Sequence, residues 1–413
     1  MKLWHRARLD WLVVEERRTV DPTQLSGDSV FHYSIPSLDQ VGDGQLEATE
    51  DIGSAKLLLR GGEVLVSKLN PRLPRVLLAE AHDVPTVAST EFISLRPGPE
   101  VDDRFLRYWL TSEPLRQVLN GATMSVTRSQ QRIRPEVLTK MWVEFPPRAL
   151  QRSIADYLDA ETARVDVLIG KRQRMVELLT EREVALIHEL TARGVRPAVV
   201  VDSGVRWLGA VPQHWGVMQI RRIGDVRRGA SPRPIDDPKY FDEEGDYSWV
   251  RIADVTASGR YLTETSQRLS VLGSSLSVKL APGALFVSIA GSVGKPMIAK
   301  IKCCIHDGFV YFEHLRIRPD YLYYLFRASQ LFQGLGKLGT QLNLNTDTIG
   351  TIVIAVPPLY EQDEIVASLN HHVDVGSRLR SAIGREIDLL QQRRESLVAA
   401  AVTGALDIPG KAA

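Results

Sequence analysis

Pro146-Pro147 and Pro357-Pro358 open two copies of one long segment, set 211 residues apart (357 − 146 = 211). At that offset, without a gap, Pro146, Pro147, Gln151, Ile154, Leu158, Leu168, Arg174, Leu178, Leu179, Arg182 and Leu186 meet identical residues. These are Pro357, Pro358, Gln362, Ile365, Leu369, Leu379, Arg385, Leu389, Leu390, Arg393 and Leu397. A repeat of this length constrains the fold more than any composition does. Both copies must adopt the same local structure, and the chain must alternate them with the sequence that lies between.

Each copy begins with a short apolar run, Met141 to Phe145 or Ile352 to Val356, that ends at the Pro-Pro pair. Proline removes a ladder donor and biases its predecessor toward extended backbone, so the run reads as a strand with an abrupt exit. A long helix is predicted after it. With Leu158 as heptad position a, six of the ten a/d positions to Glu189 are apolar, and six of ten from Leu369 to Ala400 in the second copy. Two equal helices with such imperfect seams most simply pack on each other. The pattern weakens around residues 162–166 and 373–377, where a bend or break is expected. An ordinary pair of amphipathic helices, each packed on its own domain, is the plainer alternative.

The fold class is therefore mixed α/β (α+β): two globular domains separated by two long antiparallel helices packed as a coiled-coil-like spacer, with a pseudo-twofold internal repeat. The expected divisions are 1–145 for the first domain, 146–200 for the first spacer helix, 201–356 for the second domain and 357–413 for the second helix. Apolar content of 44% and charged content of 24% are those of a soluble globular protein. No run approaches a membrane span and no signal-peptide pattern opens the sequence, so a cytoplasmic location is expected. The two cysteines, Cys303 and Cys304, are adjacent and read as reduced thiols. Net charge is +1. Residues 1–145 carry 18 basic and 20 acidic side chains, and residues 201–356 carry 18 and 14. Any affinity for nucleic acid must come from local patches.

In the first domain, Val64 to Val66 and Thr86 to Ala88 read as buried strands, and Lys68 to Arg72 as a charged loop. A single amphipathic helix is predicted from Phe105 to Leu119, capped by Asp102 or Asp103. The stretch Thr127 to Arg134 then holds three Arg and two Gln without an acid, which is either a solvated loop or a polar reading surface. In the second domain Gly283 to Val287 resembles Gly62 to Val66, and Tyr321 to Tyr324 resembles Phe105 to Tyr108. These domain matches are weaker than the helix matches, which suggests two domains that differ in what they recognise.

Gly291-Ser292-Val293-Gly294-Lys295 lacks both the spacing and the Ser/Thr after Lys of a phosphate loop, and reads as a turn at a sheet edge. No amino-methyltransferase motif and no zinc-ligand spacing is present. His306-Asp307 is not a catalytic pair, since neighbours in a strand point to opposite faces. No catalytic constellation emerges.

Two variable domains alternating with two repeated helices, each announced by Pro-Pro and then Gln, resemble the specificity subunit of type I restriction–modification systems. Pro146-Pro147 with Gln151 and Pro357-Pro358 with Gln362 carry the resemblance. Leu178-Leu179 with Arg182, Leu389-Leu390 with Arg393, and Val211-Pro212 with Trp215 add to it. The first copy departs at Arg148-Ala149-Leu150, where an acidic residue before Gln is more usual, and a partner contact there is correspondingly weakened. The resemblance implies a non-catalytic subunit in which each target recognition domain reads half of a split sequence in double-stranded DNA and the helices set the unread spacer. It implies two adenine-methylation subunits, up to two motor–nuclease subunits, and a role in phage defence. Cofactors belong to those partners, S-adenosylmethionine to one and ATP with Mg to the other, and none or metal to this chain. Base-edge reading calls for Arg, Lys, Gln, Asn, Ser or Thr. The candidates are Lys68, Arg128, Gln130, Gln131 and Arg132 in the first domain. In the second they are Arg227, Arg228, Arg233, Ser292, Lys295, Gln341, Asn343 and Asn345. A two-domain protein-binding scaffold without DNA reading is the alternative.

Overall fold

The computed structural model describes residues 4–73, 75–123, 131–328, 330–332 and 344–408. The chain forms two compact units, residues 1–173 with 384–413, and residues 174–383.

In the first unit the strands His5–Arg8 and Trp142–Phe145 pair antiparallel, with His5 opposite Phe145. A four-stranded antiparallel sheet runs Val13–Glu15, Phe92–Pro97, Val64–Ser67, Val76–Leu78. A five-stranded sheet runs Thr19–Val20, Lys56–Leu58, Thr86–Ser89, Ser29–Tyr33, Gln45–Ala48, and its pair Ser29–Tyr33 and Thr86–Ser89 is parallel. Both strands expected here, at 64–66 and 86–88, are present and buried. The helix expected over 105–119 is two helices, Asp103–Thr111 and Glu113–Gly121. Ser112 adopts extended backbone (ψ 143°), and Pro114 sits in the first turn of the second helix, where its missing N–H costs nothing. Asp102 caps the first helix by accepting from the Phe105 N–H at 3.2 Å, as expected.

The second unit repeats this plan. Gly216–Gln219 pairs antiparallel with Val353–Val356, with Gly216 opposite Val356. Both partners lie 211 residues beyond His5 and Phe145, so this register is kept to the residue. One sheet is ordered Asp225–Arg228, Phe309–Glu313, Leu285–Ser288, Pro296–Ala299, Tyr261–Leu262. Another is ordered Gln267–Leu269, Tyr247–Val250, Cys303–Ile305, Val278–Leu280, and its pair Tyr247–Val250 and Cys303–Ile305 is parallel. The helix Pro319–Arg327 takes the place of Asp103–Thr111, with Tyr321 to Phe326 all buried.

The long helices are Arg148–Arg193 and Leu359–Val402, of 46 and 44 residues. Neither breaks where a bend was expected. Neither contains proline, and the Thr162 hydroxyl at the suspected weak point donates to the Leu158 carbonyl at 2.7 Å within the helix. The buried stripe passes Leu158, Thr162, Val165, Ile169, Arg172, Val176 and Leu179, and the second helix repeats it at the same offset. Its spacing alternates four and three, a heptad in which Leu158, Val165, Arg172 and Leu179 keep their place but the second position falls at i+4, not at the expected i+3, so Leu168 and Met175 are 44% and 43% exposed. Within the first unit the ion pairs Asp166–Arg394 (3.0 Å) and Arg172–Glu386 (2.8 Å) run in opposite senses, so the two helix segments there are antiparallel. In the second unit Glu183 meets Arg380 at 2.8 Å, and Ile187 shares a core with Ile365 and Leu369, again antiparallel.

The repeated glutamine has a clear physical role. Gln151 is 1% exposed. Its carbonyl accepts from the Asp102 N–H at 2.9 Å, and its amide donates to Pro146 and Glu100 carbonyls at 2.8 and 3.0 Å. Gln362, equally buried, accepts from the Arg318 N–H at 2.7 Å and donates to the Pro357 carbonyl at 2.8 Å. In each unit one amide thus ties the strand exit, the long helix and the start of the domain helix together. It satisfies backbone groups that water cannot reach. Glu361 adds a second tie, accepting from Trp215 Nε1 at 2.8 Å and bonding His214 Nε2 at 2.7 Å. The acidic residue that Leu150 replaces is therefore an internal clasp on the Val211-Pro212-x-x-Trp215 motif. Its loss from the first copy need not weaken any partner contact.

Helix ends repeat as well. Gly194 closes the first long helix at φ +78°, and a Cβ there would stand 3.0 Å from the Trp215 ring. Gly404 closes the second at φ +69°, and a Cβ there would stand 2.5 Å from the Trp4 ring. Left-handed backbone and a tight indole contact both require glycine at these two positions.

Candidate nucleic-acid interface

In the first unit two distant segments meet. The Asn70 N–H donates to the Gln131 carbonyl at 2.7 Å and the Ile133 N–H to the Lys68 carbonyl at 3.0 Å, with Leu69 bridged to Arg132. Asn70 turns the chain through left-handed backbone (φ +52°), which asparagine tolerates. Buried Ile133 anchors the second segment. This brings the candidates Lys68, Gln131 and Arg132 to one place. The Lys68 N–H donates to the Glu91 carbonyl at 2.8 Å, and Arg132, 62% exposed, pairs with the Glu91 carboxylate at 3.0 Å. Arg128 and Gln130 lie outside the described residues.

In the second unit Arg227 and Arg228 occupy the edge strand Asp225–Arg228 and both are exposed. Arg227 meets Glu313 at 3.3 Å, and Arg228 Nε donates to the Asp307 carbonyl at 2.6 Å. The loop after this strand lies close against the turn 306–308: a Cβ at Gly229 would meet the His306 carbonyl oxygen at 2.2 Å. Ser231 Oγ donates to Asp307 Oδ1 at 3.0 Å, and Arg233, 72% exposed, donates to Oδ2 at 2.9 Å. Burial alone would raise the Asp307 carboxyl, but the Ser231 hydroxyl with Arg233 and Arg228 outweighs it and holds the group below the usual carboxylate range. Burial lowers His306, whose Nδ1 accepts from the Gly308 N–H at 2.9 Å, so the ring is neutral with its proton on Nε2. The pair sits in a turn, not in the strand expected, because Cys303–Ile305 ends one residue earlier.

The remaining candidates are placed differently. The turn expected at Gly291 to Lys295 is present, but it joins two antiparallel strands that are both interior to their sheet, not at its edge. Ser292 Oγ lies 3.2 Å from Thr256 Oγ1. Lys295 donates to the Thr256 and Ser258 carbonyls at 3.1 and 3.2 Å, at the end of the helix Ile252–Ala257. Burial, aided by Arg327, lowers its pKa. Its ammonium caps that helix and does not stand free with Arg228 and Arg233. Asn345 caps the helix Thr346–Thr351, accepting from the Thr348 N–H at 2.8 Å. Gln341 and Asn343 lie outside the described residues.

Glu91, Ser231 and Asp307 were missed as binding candidates. Acids count against a DNA surface when a sequence is read by charge, and their partners lie far away along the chain. Among the described residues one group, Asp225, Glu313 and His314, brings three potential metal-ligand atoms within 4.8 Å of one another. Arg227 already meets Glu313, and His314 Nδ1 meets Asp225 at 3.1 Å, so the group is accounted for as an exposed ion-pair cluster. Both cysteines are buried and unpaired with each other, as reduced thiols.

A family profile described as type I restriction modification DNA specificity domain matches residues 212–388. Residues 212–388 are thus similar to the specificity domain of type I restriction–modification systems. Among similar proteins, the specificity subunit of the type I restriction enzyme HindI from Haemophilus influenzae is 28% identical over 244 residues, 54% of this chain and 51% of that protein. The MjaIX specificity subunit from Methanocaldococcus jannaschii is 24% identical over 176 residues, 41% of this chain and 40% of that protein. The chain thus spans about half the length, or less, of the curated relatives it matches. Two solved structures extend the likeness in fold over the whole chain. A chain from a type I R-M system, studied for complex assembly and conformational transition, has a TM-score of 0.78 at 20% identity and 98% coverage of both chains. The HsdS subunit from Thermoanaerobacter tengcongensis has a TM-score of 0.52 at 20% identity, covering 98% of this chain and 97% of that one. The mixed α/β, two-domain layout of specificity subunits is the fold of this chain. No described helix is long and apolar enough to cross a membrane.

Proposed function

We propose that this chain is the DNA sequence-specificity subunit of a type I restriction–modification complex. It reads a bipartite target in double-stranded DNA, docks adenine-methylation and motor–nuclease subunits, and performs no chemistry itself. Residues 1–145 and 201–356 are the two target recognition domains, and the paired helices within 146–200 and 357–413 are the spacer. One observation carries the reading. Leu168 and Leu379, related by the repeat, are 44% and 41% exposed, and Leu178 and Leu389, also so related, are 49% and 64% exposed. Identical leucines held out of the core at both copies are what two equal docking sites for one kind of partner require. The loops and turns that carry the candidate arginines, by contrast, differ between the units, as two different half-sites require. S-adenosylmethionine, ATP and Mg belong to the partners in this scheme, and the location is cytoplasmic.

The test is a base-resolution adenine methylome of cells carrying this chain with its methylation partner, against cells lacking this chain alone. A split motif with a fixed unread gap that vanishes on deletion is the expected result. No motif dependent on the chain overturns the assignment and favours a scaffold that binds protein only.

A further inference from the structure

Both units place one carboxylate in the same turn of the fold. In the first, Glu91 lies between the strands Thr86–Ser89 and Phe92–Pro97; in the second, Asp307 lies between Cys303–Ile305 and Phe309–Glu313. Each pair of strands has the same neighbours in its unit. The first strand pairs parallel with one partner and antiparallel with another, and the second strand lies one place in from the edge of the other sheet. Each carboxylate holds one exposed arginine, Glu91 with Arg132 at 3.0 Å and Asp307 with Arg233 at 2.9 Å. The arginines do not correspond. Arg132 arrives from the segment after Glu113–Gly121, and Arg233 from the loop after Asp225–Arg228. The holder is common to both units, and the group that it holds is not.

A carboxylate on a surface meant for DNA repels phosphate, so its repeated presence beside an arginine needs a reason. An arginine reads guanine through two N–H groups in a fixed plane, and a guanidinium already fixed by a carboxylate meets the base edge with less freedom to lose. We infer that Glu91 and Asp307 are positioning residues for DNA reading, each orienting one base-reading arginine for one half of the split target. This inference rests on the specificity-subunit reading. Ser231 and the Arg228 contact give Asp307 the more rigid site, so its effect is the larger.

The experiment uses the chain with its methylation partner and compares wild type with Glu91→Gln and Asp307→Asn, which keep size and remove charge. The readouts are the adenine methylome and binding to duplexes that carry the wild-type motif or single-base changes in either half. Each variant is expected to lose about tenfold in discrimination at one position of its own half-site, within the range of a bidentate base contact. The other half is unchanged. Affinity for unrelated duplex DNA rises in the same variants, because the freed arginine turns to phosphate. Asp307→Glu retains discrimination. A merely structural role lowers affinity for every sequence together and lowers the melting temperature, and that result overturns the inference. So does unchanged discrimination in both variants. A wild-type complex without sequence preference instead defeats the specificity reading itself.

Discussion

Replacing Gln362 with leucine tests the clasp that repeats in both units. Leucine fills nearly the same space, so little packing is lost, but it leaves the Arg318 N–H and the Pro357 carbonyl without a partner in a site only 1% exposed at the glutamine. An unsatisfied buried backbone group costs about 1–3 kcal/mol, so the pair costs about 4 kcal/mol. That is a large part of the roughly 5–15 kcal/mol by which a domain is stable, and for a unit of this size about 2–4 °C is lost per kcal/mol. Thermal melting followed by circular dichroism on the full chain is therefore expected to fall by about 10 °C. Gln151→Leu strands three groups, the Asp102 N–H and the Glu100 and Pro146 carbonyls, and is expected to cost more than Gln362→Leu. If Gln362→Leu melts within about 2 °C of wild type, the amide is not the tie described and the repeated Pro-Pro-x-x-x-Gln needs another explanation.

Further outcomes follow from the same geometry. Burial would raise the Glu361 carboxyl, but Trp215, His214 and Tyr360 prevail and lower it. Its contribution to stability is present above the unfolded carboxylate pKa and is lost as pH falls through the lower folded value. Glu361→Leu, the first-copy residue type, should thus flatten the acid limb of a pH–stability curve, and an unaltered limb would remove the clasp. Burial pushes the Cys303 thiol up to about 12 and Cys304 to about 11. Neither should react with iodoacetamide in the native protein at pH 8, and both should react once it is denatured; prompt native labelling would contradict the packing. Adding one turn to both long helices, about 6 Å, should lengthen the unread gap by one or two base pairs in the methylome, and an unchanged gap would refute the ruler.

Much of the fold is legible without coordinates, because a repeat is a statement about sequence alone. The offset of 211 residues locates both long helices, both strand exits at Pro-Pro and both buried glutamines, and the structure adds the register His5–Phe145 and Gly216–Val356 at the same offset. Periodicity read locally did less well. Apolar Leu168 and Met175 at i+3 suggested one phase of the heptad, but packing chose the i+4 residues Thr162, Ile169 and Val176, which local apolarity alone does not single out. The break at Ser112 was hidden by an amphipathic pattern that two short helices share with one long one.

The candidate interface was partly legible for a different reason. Residue type alone brought forward Lys68, Gln131 and Arg132, which the fold places together, and Arg228 and Arg233, which both meet Asp307. It also picked Lys295, whose ammonium is taken by helix-end carbonyls, and Asn345, which caps a helix. What a polar side chain does is settled by its neighbours. Glu91 meets Arg132 from 41 residues away and Asp307 meets Arg233 from 74. Strand order and two turns bring these partners together, and those are properties of the folded sheets. The sequence by itself determined that there are two of everything; only the tertiary structure decided which charges stand side by side.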